Sequence, residues 1–333
     1  MVVTLKDVAK MAGVSASAVS RTFTEGASVS EKVRRKVMEA SSFLGYSPNA
    51  LASSLTTGRT KLIGVVSDNF HNPFFLEVFD LVTKGLQEQG LRPLLVNLSD
   101  ELNPANSVRM LRQYSVDGVI VASSTLPVSF AEAFQQAGVP VVHSFGRHSA
   151  QPKVNTVGID NFAAGQMAAE TLISRGYDDI GFMGGPETAT STQDRYAGFL
   201  AGLRTRTDIA HSVSYAKAYS FVAGQEEMLR LIALRPSQAY FCGDDVLSIG
   251  ALSAAQTAGL SVPDDIGLIG LNNMEMAQWA NINLTTIHNP IKQVVASTID
   301  LVVSMLSDPW HIPEAVLFPG HIVERGTLRP PQW

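Results

Sequence analysis

A single cysteine, Cys242, stands among 333 residues. It excludes an internal disulfide and a cysteine-built metal cluster, and it suits a reducing compartment. No apolar run approaches the roughly 18 residues that a membrane-crossing helix needs. The amino terminus lacks the basic start, continuous apolar core and small-residue cleavage site of a signal peptide, so a cytoplasmic protein without a membrane segment is expected. There is no phosphate loop. "GFMGGP" holds two adjacent glycines without G-x-G-x-x-G order, which argues against a dinucleotide site. His71, His143 and His288 lack metal-ligand spacing and read as structural. Neither a cofactor nor a metal is expected.

The chain is long enough for two or three domains, and 45% hydrophobic with 17% charged residues is ordinary for a globular protein. The net charge of −5 is unevenly spread. Residues 1–60 carry eight Lys and Arg against four acids, +4, and the remainder carries seventeen bases against twenty-six acids, −9. A basic head on an acidic body suits nucleic-acid binding by the head alone.

In "TLKDVAKMAGVSASAVSRTF" two short helices flank a tight turn. Thr4 caps the first, with Asp7 three residues on, and Leu5, Val8 and Ala9 share one face. Gly13 allows the turn, Val14 plugs the corner, and Ser15 caps a second helix whose Val19 turns inward. A third helix starts at Ser30 and offers Val33, Val37, Ala40 and Leu44 to the core. The second helix of such a module enters the major groove and would expose Ala16, Ser17 and Arg21 there. Ser47-Pro48 then starts, and Gly58 stops, a helix of two to three turns that is too short to hold alone in water.

From Lys61 onward, strand-like runs alternate with helix-length amphipathic stretches, and the pattern restarts at "DIGFMGG". That alternation predicts two doubly wound parallel sheets with ligands beyond the carboxyl ends of their strands. The strand-end candidates are Asp68, Asn69, Phe70, Ser144, Phe145 and Asp160 in the first half, and the second half offers Arg195, Phe221, Asp244 and Asn272. Carboxylates, amides and an Arg interleaved with Phe faces suit a sugar, whose hydroxyls need donors and acceptors and whose C–H face stacks on rings.

"TLKDVAKMAGVSASAVSR" and "LGYSPNALASSLTTGRT" resemble the headpiece and hinge of the lactose-repressor (LacI/GalR) family of bacterial transcription regulators. The resemblance continues through "LIGVVSDNFHNPFF", "DGVIV", "GVPVV", "GIDNFAAG", "RYAGF", "VPDDIGLIGLNN" and "LTTI", nearly the whole chain. It implies an all-α helix-turn-helix headpiece (1–46), a hinge helix (47–60) and an α/β periplasmic-binding-protein-like body (61–333) of two doubly wound parallel-sheet subdomains. The chain would cross three times between an N-subdomain of about 61–160 plus 290–322 and a C-subdomain of about 161–289 plus 323–333. The hinge helix would order only where two copies meet on operator DNA, each inserting Leu55 into the minor groove, with Asn49 at the helix start. The DNA-facing set is then Thr4, Lys6, Ser15, Ala16, Ser17, Ser20, Arg21, Ser30, Tyr46, Asn49, Ala52 and Leu55. Ala18 stands where the family usually has Thr.

For the effector, the resemblance implies contacts at Asp160, Arg195, Asp244 and Asn272, with aromatic platforms at Phe74, Phe75 and Phe221. Many relatives have Asp where this chain has Asn272, and purine-binding relatives have an additional Arg near Ala189, which counts against a purine corepressor. The expectation is a repressor released from a pseudo-palindromic operator by a mono- or disaccharide or glycoside. No heptad tail follows Trp310, so a homodimer is expected in place of a tetramer. Two other classes compete with this reading: an enzyme using Asp244, Asp160 or His143 as acid-base groups, and a sugar-binding transport protein. The first lacks an activated nucleophile, and neither accounts for the basic head.

Overall fold

The computed structural model describes residues 3–24, 26–48, 54, 58–98, 103–204, 206, 208–308 and 311–331. The chain divides into two compact units, Met1–Thr60 and Lys61–Trp333.

The first unit is helical: α1 (Leu5–Ala12), α2 (Ala16–Thr22) and α3 (Glu31–Leu44). Asp7 accepts from the Thr4 amide at 2.8 Å and from the Thr4 hydroxyl at 2.7 Å, which fixes the start of α1 and holds the Asp7 carboxyl below its ordinary range. Gly13 turns the chain at φ +65°, a conformation that a side chain would disfavour. The Ser15 hydroxyl accepts from the Ala18 amide at 3.2 Å and starts α2. Val8, Ala9, Ala12, Val19, Val37 and Ala40 form the core, with Leu5, Val14, Val33 and Leu44 packed around it. Such a small core suffices because each helix contributes only one apolar stripe.

The second unit opens with β1 (Leu62–Ser67), α4 (Pro73–Glu88), β2 (Arg92–Asn97), α5 (Pro104–Gln113), β3 (Gly118–Ala122), α6 (Val128–Gln136), β4 (Val141–Ser144) and β5 (Asn155–Ile159). A second series follows: α7 (Asn161–Ser174), β6 (Asp179–Gly184), α8 (Thr190–Leu203), β7 (Ala210–Tyr215), α9 (Phe221–Leu234), β8 (Ala239–Cys242), α10 (Asp245–Thr257), β9 (Gly267–Asn272) and β10 (Thr286–His288). The chain then returns through α11 (Ile291–Ser307) and β11 (Ala315–Phe318) before β12 (His321–Val323).

One sheet runs β11-β5-β4-β3-β1-β2 and is parallel throughout. The other runs β12-β10-β9-β8-β6-β7, parallel except where β12 joins β10. The strands are apolar on both faces because helices cover both. In β1, Ile63 and Val65 pack with Val78 of α4 and Val294 of α11, while Val66 packs on the opposite side with Leu111 of α5. In β8, Tyr240 and Cys242 pack with Leu247, and Ala239 and Phe241 with Phe199.

Three crossings join the two sheets, at Asp160–Asn161, at Asn289–Pro290 and at Pro319–Gly320. The third differs from the boundary at 322 drawn above. His321 and Ile322 pair with His288 and Ile287, so the last segment joins the second sheet from residue 321. Close backbone packing sets the cleft wall: a side chain at Gly165 would sit 1.9 Å from the Arg195 carbonyl oxygen. Only glycine lets α7 and α8 approach this closely.

Candidate functional site

In the helical head, α2 presents Ala16 one turn from Ser20 and Ser17 one turn from Arg21, and all four are exposed. Thr4, Lys6, Ser15 and Ser30 are also exposed. Tyr46 is half-buried, its ring 5.9 Å from that of Phe23. Ser15 has a structural duty as the α2 cap, and its hydroxyl also lies 2.9 Å from that of Ser17. Asn49, Ala52 and Leu55 lie outside the described residues. Nearby, the Gly58 amide donates to the Ser54 carbonyl at 2.8 Å.

In the second unit, the strand ends of the two sheets close around a tight cavity with about 10 Å³ of free space. Phe74, Phe75, Ser124, Phe145 and Ile159 line it from the first half. Asn161, Arg195, Asp244 and Asn272 line it from the second, and Asn289 sits at the crossover. The rings of Phe74 and Phe75 each meet Phe145 edge-on, with centroids 5.4 and 5.7 Å apart. Against this apolar cage stands a chain of polar groups. Arg195 Nε donates to Asn161 Oδ1 at 2.8 Å, and its Nη1 donates to the Gly243 carbonyl. Asp244 caps α10 through the Val246 amide at 2.8 Å. Its other oxygen accepts from Asn272 at 3.0 Å and from Asn72, across the cleft, at 3.2 Å. Asn289 donates to Asn272 Oδ1 at 3.1 Å, while its own Oδ1 is buried without a partner.

Burial pushes the Asp244 carboxyl above its ordinary range, against the pull of the Val246 amide, Arg195 and the two amides. Two cavity residues, Phe145 (φ +66°) and Asn272 (φ +120°), hold backbone conformations that non-glycine residues rarely adopt. Such strain concentrates at binding sites whose surroundings over-determine the backbone.

Six of the twelve residues expected at the effector site therefore surround one cavity: Phe74, Phe75, Phe145, Arg195, Asp244 and Asn272. The other six lie off it. Asp68 accepts from Ser123 at 2.7 Å and Thr125 at 2.5 Å, and Asn69 joins that cluster through Thr125 at 3.2 Å. Phe70 stacks on Phe79, with centroids 4.4 Å apart. Ser144 is fully buried, with its hydroxyl on Thr298 at 3.0 Å. Asp160 caps α7 through the Ala163 amide at 2.9 Å, and Phe221 opens α9, 39% exposed. Sequence reasoning missed Asn72, Ser124, Ile159, Asn161 and Asn289. A signal existed for Asn161 and Asn289, since each follows a strand at a crossing between the sheets.

Residues 4–49 match the family model of bacterial regulatory proteins, lacI family, and residues 169–328 match that of a periplasmic binding protein-like domain. The chain is 31% identical over 332 residues to the HTH-type transcriptional repressor PurR of Actinobacillus pleuropneumoniae, covering 98% of each. It is 32% identical over 336 residues to the repressor of the same name from Vibrio campbellii, again covering 98% of each.

The chain belongs to the lacI family.

It is a DNA-binding transcriptional repressor, of a family whose members bind operator DNA and a small-molecule effector. A solved lac repressor dimer bound to operator and the anti-inducer ONPF superposes with a TM-score of 0.87 at 25% identity, over 99% of this chain and 100% of that one. A transcriptional regulator CelR–cellobiose complex superposes with a TM-score of 0.72 at 26% identity, over 98% and 99%. Among the described residues no helix is long and apolar enough to cross a membrane.

Proposed function

We propose that the cavity between the two sheets takes a neutral saccharide or glycoside of one or two rings, and that its binding releases a homodimer of this chain from a pseudo-palindromic operator. The observation that carries this is the facing of three Phe rings against Arg195, Asp244, Asn272 and Asn289 in one cavity. Aromatic faces take the C–H side of a sugar ring, and fixed amide and carboxylate groups take its hydroxyls. The unpartnered Asn289 Oδ1 calls for a ligand group that donates a hydrogen bond, which a hydroxyl does and a phosphate dianion does not. Among the described residues Arg195 is the one cationic lining residue, and it shares the cavity with Asp244, so little net positive charge is left for a phosphorylated ligand. With only about 10 Å³ of free space, room for about one water, the cleft is closed as it stands, and a sugar ring enters as the two halves part.

The DNA-facing role of Ser17, Ser20 and Arg21 on α2 belongs to the same proposal, as does the hinge wedge at Leu55. Thermal shift of the full chain against D-ribose, D-glucose, cellobiose, glucose 6-phosphate and hypoxanthine tests the ligand class. A neutral sugar at a hundred times its dissociation constant is expected to stabilise by about 2.7 kcal/mol. Arg195→Ala should abolish that shift, since it also strands the buried Asn161 and Gly243 oxygens. A shift with glucose 6-phosphate or hypoxanthine alone would reject the neutral-sugar assignment. A normal shift in the Arg195→Ala variant would reject the cavity as the site.

A further inference from the structure

Arg147 lies three residues beyond β4, on the first half of the second unit, yet every partner it has here is on α8 of the second half. Its Nε donates to Asp194 Oδ2 at 3.0 Å, and its Nη2 lies 2.7 Å from Asp194 Oδ1, a two-pronged ion pair. The same Nη2 donates to the Thr190 carbonyl at 3.1 Å and to Gln193 Oε1 at 3.0 Å. The side chains are 35% and 24% exposed, so the pair is at the rim of the cleft and partly shielded from water. Arginine suits this place because its planar fork matches a carboxylate with two parallel bonds.

We propose that Arg147 and Asp194 form a latch that holds the cleft mouth shut and sets α8 against the cavity, making Arg147 a positioning residue for Arg195. Asp194 is the residue before Arg195, so a guanidinium gripping Asp194 restrains the turn that carries Arg195 to Asn161 and Gly243. A second contact across the rim depends on the same closure: the Ser191 amide donates to the Ser124 carbonyl at 3.2 Å. Ser191 is the second residue of α8, where an amide has no acceptor within its own helix. Its bond across the cleft is therefore broken whenever the halves part. The importance of the latch for an effector rests on the assignment of the cavity proposed above; its effect on cleft opening does not.

Amide hydrogen exchange in the ligand-free full chain reads that opening directly. Arg147→Gln is expected to speed exchange at Ser191 by about three- to tenfold, from the strength of a shielded two-pronged ion pair. Asp194→Asn should act in the same direction. The double variant should exchange more slowly than the product of the two single effects predicts, because one pair can be broken only once. The Val119 amide in β3, bonded to the Pro140 carbonyl at 2.8 Å within the first half, should not change in any variant. Unchanged Ser191 exchange in Arg147→Gln, multiplicative effects in the double variant, or an equal rise at Val119 would each overturn the latch. Failure of every sugar to bind would leave these exchange results as they stand.

Discussion

Asp245 and His143 are both fully buried and are pushed in opposite senses. Asp245 accepts from the Thr286 hydroxyl at 2.5 Å and from the Met274 amide at 2.8 Å, but burial dominates and raises its pKa to about 7. Burial likewise lowers His143 to about 4, against the bond to the Ser123 carbonyl at 3.1 Å. A carboxyl raised from 3.8 stabilises the fold fully below about pH 4 and loses that contribution as pH rises towards about 7. An imidazole lowered from 6.5 stabilises fully above about 6.5 and loses its contribution as pH falls towards about 4. The two slopes oppose each other across that window. Urea unfolding between pH 4 and 7 should show Asp245→Asn losing stability on acidification more steeply than the wild type, and His143→Gln losing it on alkalinisation. At about 1.4 kcal/mol per unit, each difference is up to about 3–4 kcal/mol across the window. Parallel pH profiles in all three proteins would refute the assignment. Residue choice at the cavity was legible only in part. Strand-end position singled out Asp244 and Asn272, and the family resemblance Arg195 of α8, but successive side chains on a strand alternate, and position alone does not say which way each points. Ser144 accordingly faces Thr298, while Phe145, one residue on, faces the cavity.

Among elements, the doubly wound strands were the most legible, because apolar runs buried on both faces leave little else for the chain to do. The capped helices of the head were equally plain, since Asp7, Gly13 and Ser15 each perform a local task visible from sequence. β12 was not legible: three residues, "HIV", are too short for any periodicity, and its antiparallel pairing comes from the partner strand. A helix between Ser47 and Gly58, as the sequence predicts, would be short enough to require outside stabilisation. If it works as a wedge ordered by DNA, Leu55→Ala should weaken operator binding and DNA bending while leaving the melting temperature of the free protein unchanged. Circular dichroism of the wild type should gain helix when operator is added. Strong protection of residues 49–57 from exchange without DNA would contradict this behaviour.

Across the whole molecule, charge is divided between a +4 head and a −9 remainder. Operator affinity should therefore fall steeply with salt, log K following log salt with a slope of about −0.9 per phosphate neutralised. Fluorescence anisotropy from 50 to 300 mM salt measures that slope. A dimer placing two heads on a pseudo-palindrome should give about twice the slope obtained on a half-site. Equal slopes would mean that one head carries the contact. The return of the chain through α11 and β11 has a consequence for the order in which the protein can be built. Val294, Val295, Ile299 and Val302 of α11 complete the core beneath β1 and α4, and β11 closes the edge of the first sheet beside β5. Both leave the ribosome after every strand of the second sheet except β12. The half synthesised first is thus the half that must wait, its apolar face bare, until α11 and β11 have been added behind the second sheet. A growing chain of this protein should therefore depend on chaperones through its N-terminal portion.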